Sequence, residues 1–255
     1  MIEQKPVCVQ KYRALRYNKI MENIRIFKIY KNGFTLAEVL ITLVIVGVVA
    51  SLTIPTAIAK YREQQTIQSL KTTYSTFAQA LKMAESKNGP VGSWDIAPGD
   101  SLEGSLKIYN LISPGLSKVR DCQGNNDCFG DGYITLQGTD TVVQPKSWIY
   151  ARGILNNGVS FAVWSSGTCN GISLHPNMCG IIIVDINGYK KPNRFGYDTF
   201  WFKITENGLL PYGTTNSELS SFCKLSGTHR ENGNACTAWV LYKNNFDYKK
   251  QNVSW

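Results

Sequence analysis

Between Phe34 and Ala59 the chain runs for 26 residues with a single charged side chain, Glu38. A helix of that length, rising about 1.5 Å per residue, is long enough to cross a bilayer core of about 30 Å. A carboxylate placed early in such a helix costs on the order of 2.5–3.5 kcal/mol on insertion scales, so it needs a partner or a purpose. The residues before it are basic. Positions 1–33 carry eight Lys/Arg against two Glu, which holds that side in the cytoplasm by the positive-inside rule. A secretory signal has its small-residue cleavage site after the apolar run, whereas here the small residue, Gly33, precedes it, so the helix stays with the mature chain. A plain single-span anchor is the alternative, and it gives no reason for Glu38.

The junction Lys31-Asn32-Gly33-Phe34-Thr35-Leu36-Ala37-Glu38, with the apolar helix behind it, resembles the prepilin-type signal of type IV pilins and type II secretion pseudopilins. The resemblance is close from Lys31 to about Lys60 and looser along the helix that follows. It implies cleavage after Gly33 by a prepilin peptidase and N-methylation of Phe34. Glu38 then becomes an assembly residue whose carboxylate pairs with the amine of Phe34 in the same or an adjacent subunit, and Pro55 matches the proline of the family's membrane helix. The implied partners are other pilin or pseudopilin subunits, the inner-membrane assembly platform with its ATPase, and membrane lipid. The implied place is a single-pass inner-membrane protein with its head in the periplasm or at the cell surface. The implied fold is α+β, a long N-terminal helix packed on an antiparallel sheet. Such a protein is a structural filament subunit, the alternative being an adhesin or substrate-binding minor tip subunit on the same anchor.

This divides the chain into a removed leader at 1–33, a membrane and assembly half-helix at 34–59, an amphipathic half-helix at 60–88 and a head at 89–255. Met21 offers a second possible start with a shorter leader. Excluding the leader changes the charge argument. The whole chain is +9, but residues 34–255 hold 19 Lys/Arg and 16 Asp/Glu, leaving +3, too slight an excess to point to nucleic acid.

Past Pro55, which should loosen or bend the helix rather than end it, Ile67, Leu70, Tyr74, Phe77 and Leu81 recur every three or four residues and predict one core-facing stripe. Asn88-Gly89-Pro90 stops it. Leu102 to Leu111 and Leu116 to Val119 read as short helical pieces. Ile149 to Leu155 and Val159 to Trp164 flank Asn156-Asn157-Gly158 and predict a hairpin, and Gly180 to Ile186, Thr199 to Ile204 and Ala238 to Tyr242 read as further strands.

Cys8 falls in the leader. The other six cysteines allow 15 pairings; short-range pairing, Cys122–Cys128, Cys169–Cys179 and Cys223–Cys236, is the simplest arrangement and fits an exported domain. A metal site on these thiolates lacks the usual close Cys pairs. The stretch Asp185 to Asp198 offers Asp185, Asn187 and Asp198 as hard oxygen ligands, similar in type to the calcium loop of major pseudopilins. Lys190, Lys191 and Arg194 oppose a dication there, and a hairpin turn capped by Asp185 and Asn187 is the alternative. No other cofactor is indicated. Nothing reads as catalytic: His175 beside Pro176 is expected in a solvated loop, and no nucleophile elbow, phosphate loop or zinc-protease helix is present. Tyr248 and Trp255 read as surface aromatics without a site, a C-terminal Trp being expected packed or disordered.

Overall fold

The computed structural model describes residues 33–172 and 175–255. The leader, with Cys8 and the alternative start at Met21, lies outside the described residues. The chain divides at Ile54/Pro55 into two units. Helix α1, Leu36–Asn88, belongs to both, and its helical assignment continues through Pro55. From Ile67 onward α1 buries Ile67, Leu70, Thr73, Phe77, Ala80, Leu81 and Ala84, the expected stripe. Each fully buried Leu, Ile or Phe on it contributes about 1.5–3 kcal/mol relative to exposure. Gly89, at φ +82°, ends the helix in the left-handed region that glycine adopts without strain.

The head is built on a six-stranded antiparallel sheet in the order β1-β2-β3-β6-β7-β8. These strands are β1 Lys118–Gln123, β2 Ala151–Leu155, β3 Ser160–Ser165, β6 Gly180–Asp185, β7 Thr199–Thr205 and β8 Gly208–Pro211; a small hairpin, β4 Gly171–Ile172 with β5 His175–Pro176, is inserted between β3 and β6. The β2–β3 turn is the predicted one: Gly158 has φ +87° and its N–H donates to Leu155 O.

Strands β2, β3, β6 and β7 are buried at every position, which means that both faces of the sheet are covered. Period-2 alternation sorts the covers. On one face Phe161 and Phe202 meet Phe77 and Tyr74 of α1 edge to face, at ring separations of 5.2 and 5.4 Å. Helix α2, Leu102–Ile112, stacks Tyr109 on Phe161 of the same face, and Ser101 caps its start by accepting from Gly104 N–H. On the other face lie Arg152, Trp164, Ile181, Asp185 and Trp201, covered by irregular chain and by helix α3, Asn216–Phe222, whose Phe222 reaches it through His175; helix α4, Cys236–Lys243, lies beside β7, its Thr237 hydroxyl accepting from Trp201 N–H.

Arg152 organises that cover. It is fully buried, and its guanidinium donates to five backbone carbonyls: Pro145 at 2.7 Å, Gly124 at 2.8 Å, Asn125 and Lys146 at 3.0 Å, and Ser147. Three disulfides, Cys122–Cys128, Cys169–Cys179 and Cys223–Cys236, each close a short loop.

Two expected elements are different in kind. Leu116 to Val119 is not helical: the Ser113-Pro114-Gly115 turn leads it into edge strand β1, where Lys118 pairs with Leu155, and four residues are too few for a helical period to compete with that pairing. Ala238 to Tyr242 is not a strand but the body of α4. Its Trp, Val and Tyr content favours β structure, yet the segment is tied at its start by Cys236 to Cys223. Its end is closed by Asn244 at φ +58°, whose N–H donates to Val240 O, so local constraints override propensity.

Candidate functional site at the start of the long helix

Gly33, Phe34 and Thr35 precede the first helical residue, and Phe34 is 86% exposed. Thr35 and Glu38 stop the helix from extending backwards. The Thr35 N–H and its hydroxyl both donate to Glu38 Oε2 at 2.8 Å, while Glu38 N–H donates to Thr35 Oγ1 at 3.2 Å. This is a reciprocal capping box: it satisfies donors that a helix N-terminus otherwise leaves unpaired. It also gives the carboxylate a partner inside its own chain and engages only one of its oxygens. The Thr-x-x-Glu spacing was legible in the sequence, and our reading of Glu38 overlooked it.

Below the box the helix surface is apolar and exposed, from Leu36 through Val44 and Leu52 to Ile58. The hydroxyls on it turn inward to the backbone: Thr42 donates to Val39 O, Ser51 to Val48 O and Thr53 to Val49 O, at 2.8–2.9 Å. Back-bonding of this kind leaves little for water to do. The described residues contain one helix apolar and long enough to cross a membrane.

The second group of candidate ligands, in the β6–β7 connection, is brought together but already engaged. Asp185 accepts from Tyr133 O–H at 2.5 Å and from Asn187 N–H at 3.1 Å. Asp198 Oδ1 accepts from Arg194 N–H and the Thr199 hydroxyl; its Oδ2 accepts from Asn193 N–H and the Asn187 amide. Burial raises the pKa of both acids, and the repulsion of Asp198 raises Asp185 further. Every carboxylate oxygen faces hydrogen-bond donors, whereas calcium needs such oxygens turned to the ion in a shell of six to eight. Among the described residues no group of three or more His, Cys, Asp or Glu is placed to hold a metal. In this arrangement the two carboxylates cap the backbone of their own turn.

Residues 29–54 match the family model described as the prokaryotic N-terminal methylation motif, the hallmark of type IV pilins and pseudopilins. The start of the helix carries the pilin-type signal. Neither the curated proteins nor the solved structures yield a match. The matched segment ends at Ile54, so the pilin-type signal accounts for the capping box and the apolar surface, and the head has to be read from its own geometry. The long helix and antiparallel sheet together give a pilin-like α+β layout. The motif marks a pilin-type substrate of prepilin peptidase, and its family is structural rather than enzymatic.

Two side chains of the head, His175 and Tyr248, depart from expectation. His175 is not solvated: it is 4% exposed, with Tyr212 Oη 2.8 Å from Nδ1 and Glu231 Oε2 2.9 Å from Nε2. Tyr248 is fully buried and donates to Gly196 O at 2.6 Å. Trp255 stays at the surface, 38% exposed, and is packed there, its indole donating to Gly213 O at 3.0 Å and its ring 5.4 Å from that of Trp239. No local sequence signal marks these partners, which lie 37 to 56 residues apart for all but the Trp pair.

Proposed function

We propose that the protein is a structural subunit of a type IV pilus-like or type II secretion filament. Prepilin peptidase cuts between Gly33 and Phe34, the new amine of Phe34 is methylated, and α1 holds the subunit as a single-pass anchor with its head outside the cytoplasm. The assembly platform and its ATPase then move the helix from lipid into a bundle of neighbouring helices. What carries this reading is the end of α1: the Gly33–Phe34 pair lies outside the helix, directly before a capping box and an exposed apolar surface, inside the segment that matches the methylation motif. The six paired cysteines support an exported head. Glu38 Oε2 takes the Thr35 donors, and Oε1 is left for the charged amine of Phe34 in the same or an adjacent subunit. Pairing two charges in low dielectric offsets part of the cost of burying each and fixes axial register.

A second reading, an adhesin or substrate-binding tip subunit, draws on a cleft of about 770 Å³ whose polar wall includes Asn170, Lys203, Ser217 and Glu218. It uses the same anchor and the same processing.

N-terminal sequencing and intact mass of the membrane-extracted protein test the reading. The mature chain is expected to begin at Phe34 with one added methyl group, and Gly33→Leu to leave the leader attached. A mature chain beginning beyond the apolar run would overturn it.

A further inference from the structure

The sheet face turned away from α1 carries a small cavity of about 170 Å³ that the filament reading does not use. Trp164 on β3 pairs directly with Ile181 on β6, and Trp201 on β7 pairs with Ile183 two residues along, so both indoles fall on this face. Tyr150 adds a third ring to the wall, Asp100 and Glu231 add two carboxylates, and His175 is the remaining polar side chain; no Lys or Arg lines it.

Each carboxylate is held in place by one oxygen. The Trp164 indole N–H donates to Asp100 Oδ1 at 2.8 Å, and His175 Nε2–H meets Glu231 Oε2 at 2.9 Å, since a carboxylate can only accept. Among the described residues the second oxygen of each makes no hydrogen bond within the protein and neither carboxylate pairs with a Lys or Arg; Glu231 is half-buried and Asp100 lies exposed at the rim. The indole N–H of Trp201 is buried without a partner, a donor that only an acceptor atom on the guest, such as a hydroxyl, would satisfy. Aromatic rings and carboxylates without a Lys or Arg beside them both attract positive charge. A metal ion would want a fuller oxygen shell than two carboxylates supply. An anion would be repelled, and a neutral apolar guest would make no use of Asp100 and Glu231. A volume of about 170 Å³ leaves room for a compact organic head.

We propose that this cavity binds a free small organic cation of the quaternary or alkylated ammonium class. The rings of Tyr150, Trp164 and Trp201 contact its alkyl groups, and Asp100 and Glu231 balance its charge. The site is independent of processing and assembly, so it stands or falls separately from the filament reading.

Calorimetric titration of the detergent-solubilised full chain with choline tests it, with 3,3-dimethyl-1-butanol as the neutral isostere and phosphocholine as the headgroup form. Choline is expected to bind saturably and to change tryptophan fluorescence. The isostere should bind at least about tenfold more weakly, because it lacks the charge that the rings and carboxylates attract. Phosphocholine should also be weaker, its phosphate meeting two carboxylates. Glu231→Gln keeps an acceptor for His175, and near-UV dichroism checks that it folds; it should weaken choline severalfold. Absence of saturable choline binding, equal binding of the isostere, or unchanged affinity in a folded Glu231→Gln protein would each overturn the proposal. Should that variant misfold, the comparison of choline with its isostere on the native protein decides alone.

Discussion

The apolar half of α1 and the head satisfy their polar groups over different distances along the chain. In α1 as far as Thr53 every described side-chain hydrogen bond closes within three or four residues, as Thr35–Glu38 and Ser51–Val48 do. In the head the decisive contacts are remote: Tyr133 reaches Asp185 across 52 residues, His175 reaches Glu231 across 56, and Trp164 reaches Asp100 across 64. A segment that completes itself locally suits a helix that exchanges one apolar surrounding for another. A segment completed by remote contacts has one arrangement, and losing one partner strands the other.

The largest expected effect therefore lies in the head, at Arg152. Arg152→Met removes a buried guanidinium and leaves five carbonyls between Gly124 and Ser147 without their donor. Destabilisation of about 3–5 kcal/mol is expected in urea or thermal unfolding. A loss below about 1 kcal/mol would show that water replaces the guanidinium, and the contrast between the regions would lose its main support.

Next comes the Asp185–Asp198 pair. Burial and mutual repulsion raise Asp185, so the folded head holds that proton more tightly than the unfolded chain does. Its contribution to stability is greatest at acid pH and falls as pH rises from about 4 through the raised pKa. Asp185→Asn removes the titration, and the Tyr133 hydroxyl can accept from the new amide. The melting temperature of the variant relative to the native protein should climb with pH between 4 and 8; a constant difference would mean that Asp185 keeps an ordinary pKa.

A smaller effect is expected at Lys249, packed 3.7 Å from the Phe246 ring centroid and 3.9 Å from that of Tyr197, with Glu63 at 3.8 Å. Burial lowers its ammonium to about 8 although Glu63 and Asp198 oppose the shift; Arg194 reinforces it. A lysine lowered on folding makes the protein gain stability as pH rises from about 8 to its unfolded value near 10.4. Lys249→Met should melt at or above the native temperature at pH 7, and the advantage should shrink over that window. A variant less stable at every pH would show that the cation–π contacts outweigh desolvation.

The same contrast explains what could be read in advance. The Gly33–Phe34 junction, the stripe from Ile67 to Leu81, the Gly158 hairpin and the strands from Gly180 and Thr199 are all written in neighbouring residues, through charge, period or turn chemistry. Strand β1 escaped because its pairing with β2 lies outside its own four-residue pattern, and α4 because β-favouring side chains are held helical by a disulfide and a left-handed cap. Arg152 and His175 escaped for a related reason: a buried charge or imidazole is recognisable only by its partners, and no residue near either in sequence announces them. Even the local half held one omission. The Thr35–Glu38 box follows from a Thr-x-x-Glu spacing that is plain in the sequence.

That omission sets the smallest expected effect on stability and the one with the most to say about assembly. Glu38→Gln preserves the capping box, since glutamine can accept from Thr35, but removes the charge; Glu38→Ala removes both. Neither should alter head melting, and the alanine variant should fray the start of α1 by about 1 kcal/mol, visible as faster amide exchange over residues 35–39. Membrane abundance and Gly33 cleavage, followed by immunoblot, should persist in both. Recovery in sheared filaments or crosslinked assemblies should fall in both if Glu38 acts by pairing with the amine of Phe34, because both lack the carboxylate. If the glutamine variant assembles normally and only alanine fails, the helix cap is what assembly requires, and the charge pairing assigned to Glu38 is wrong.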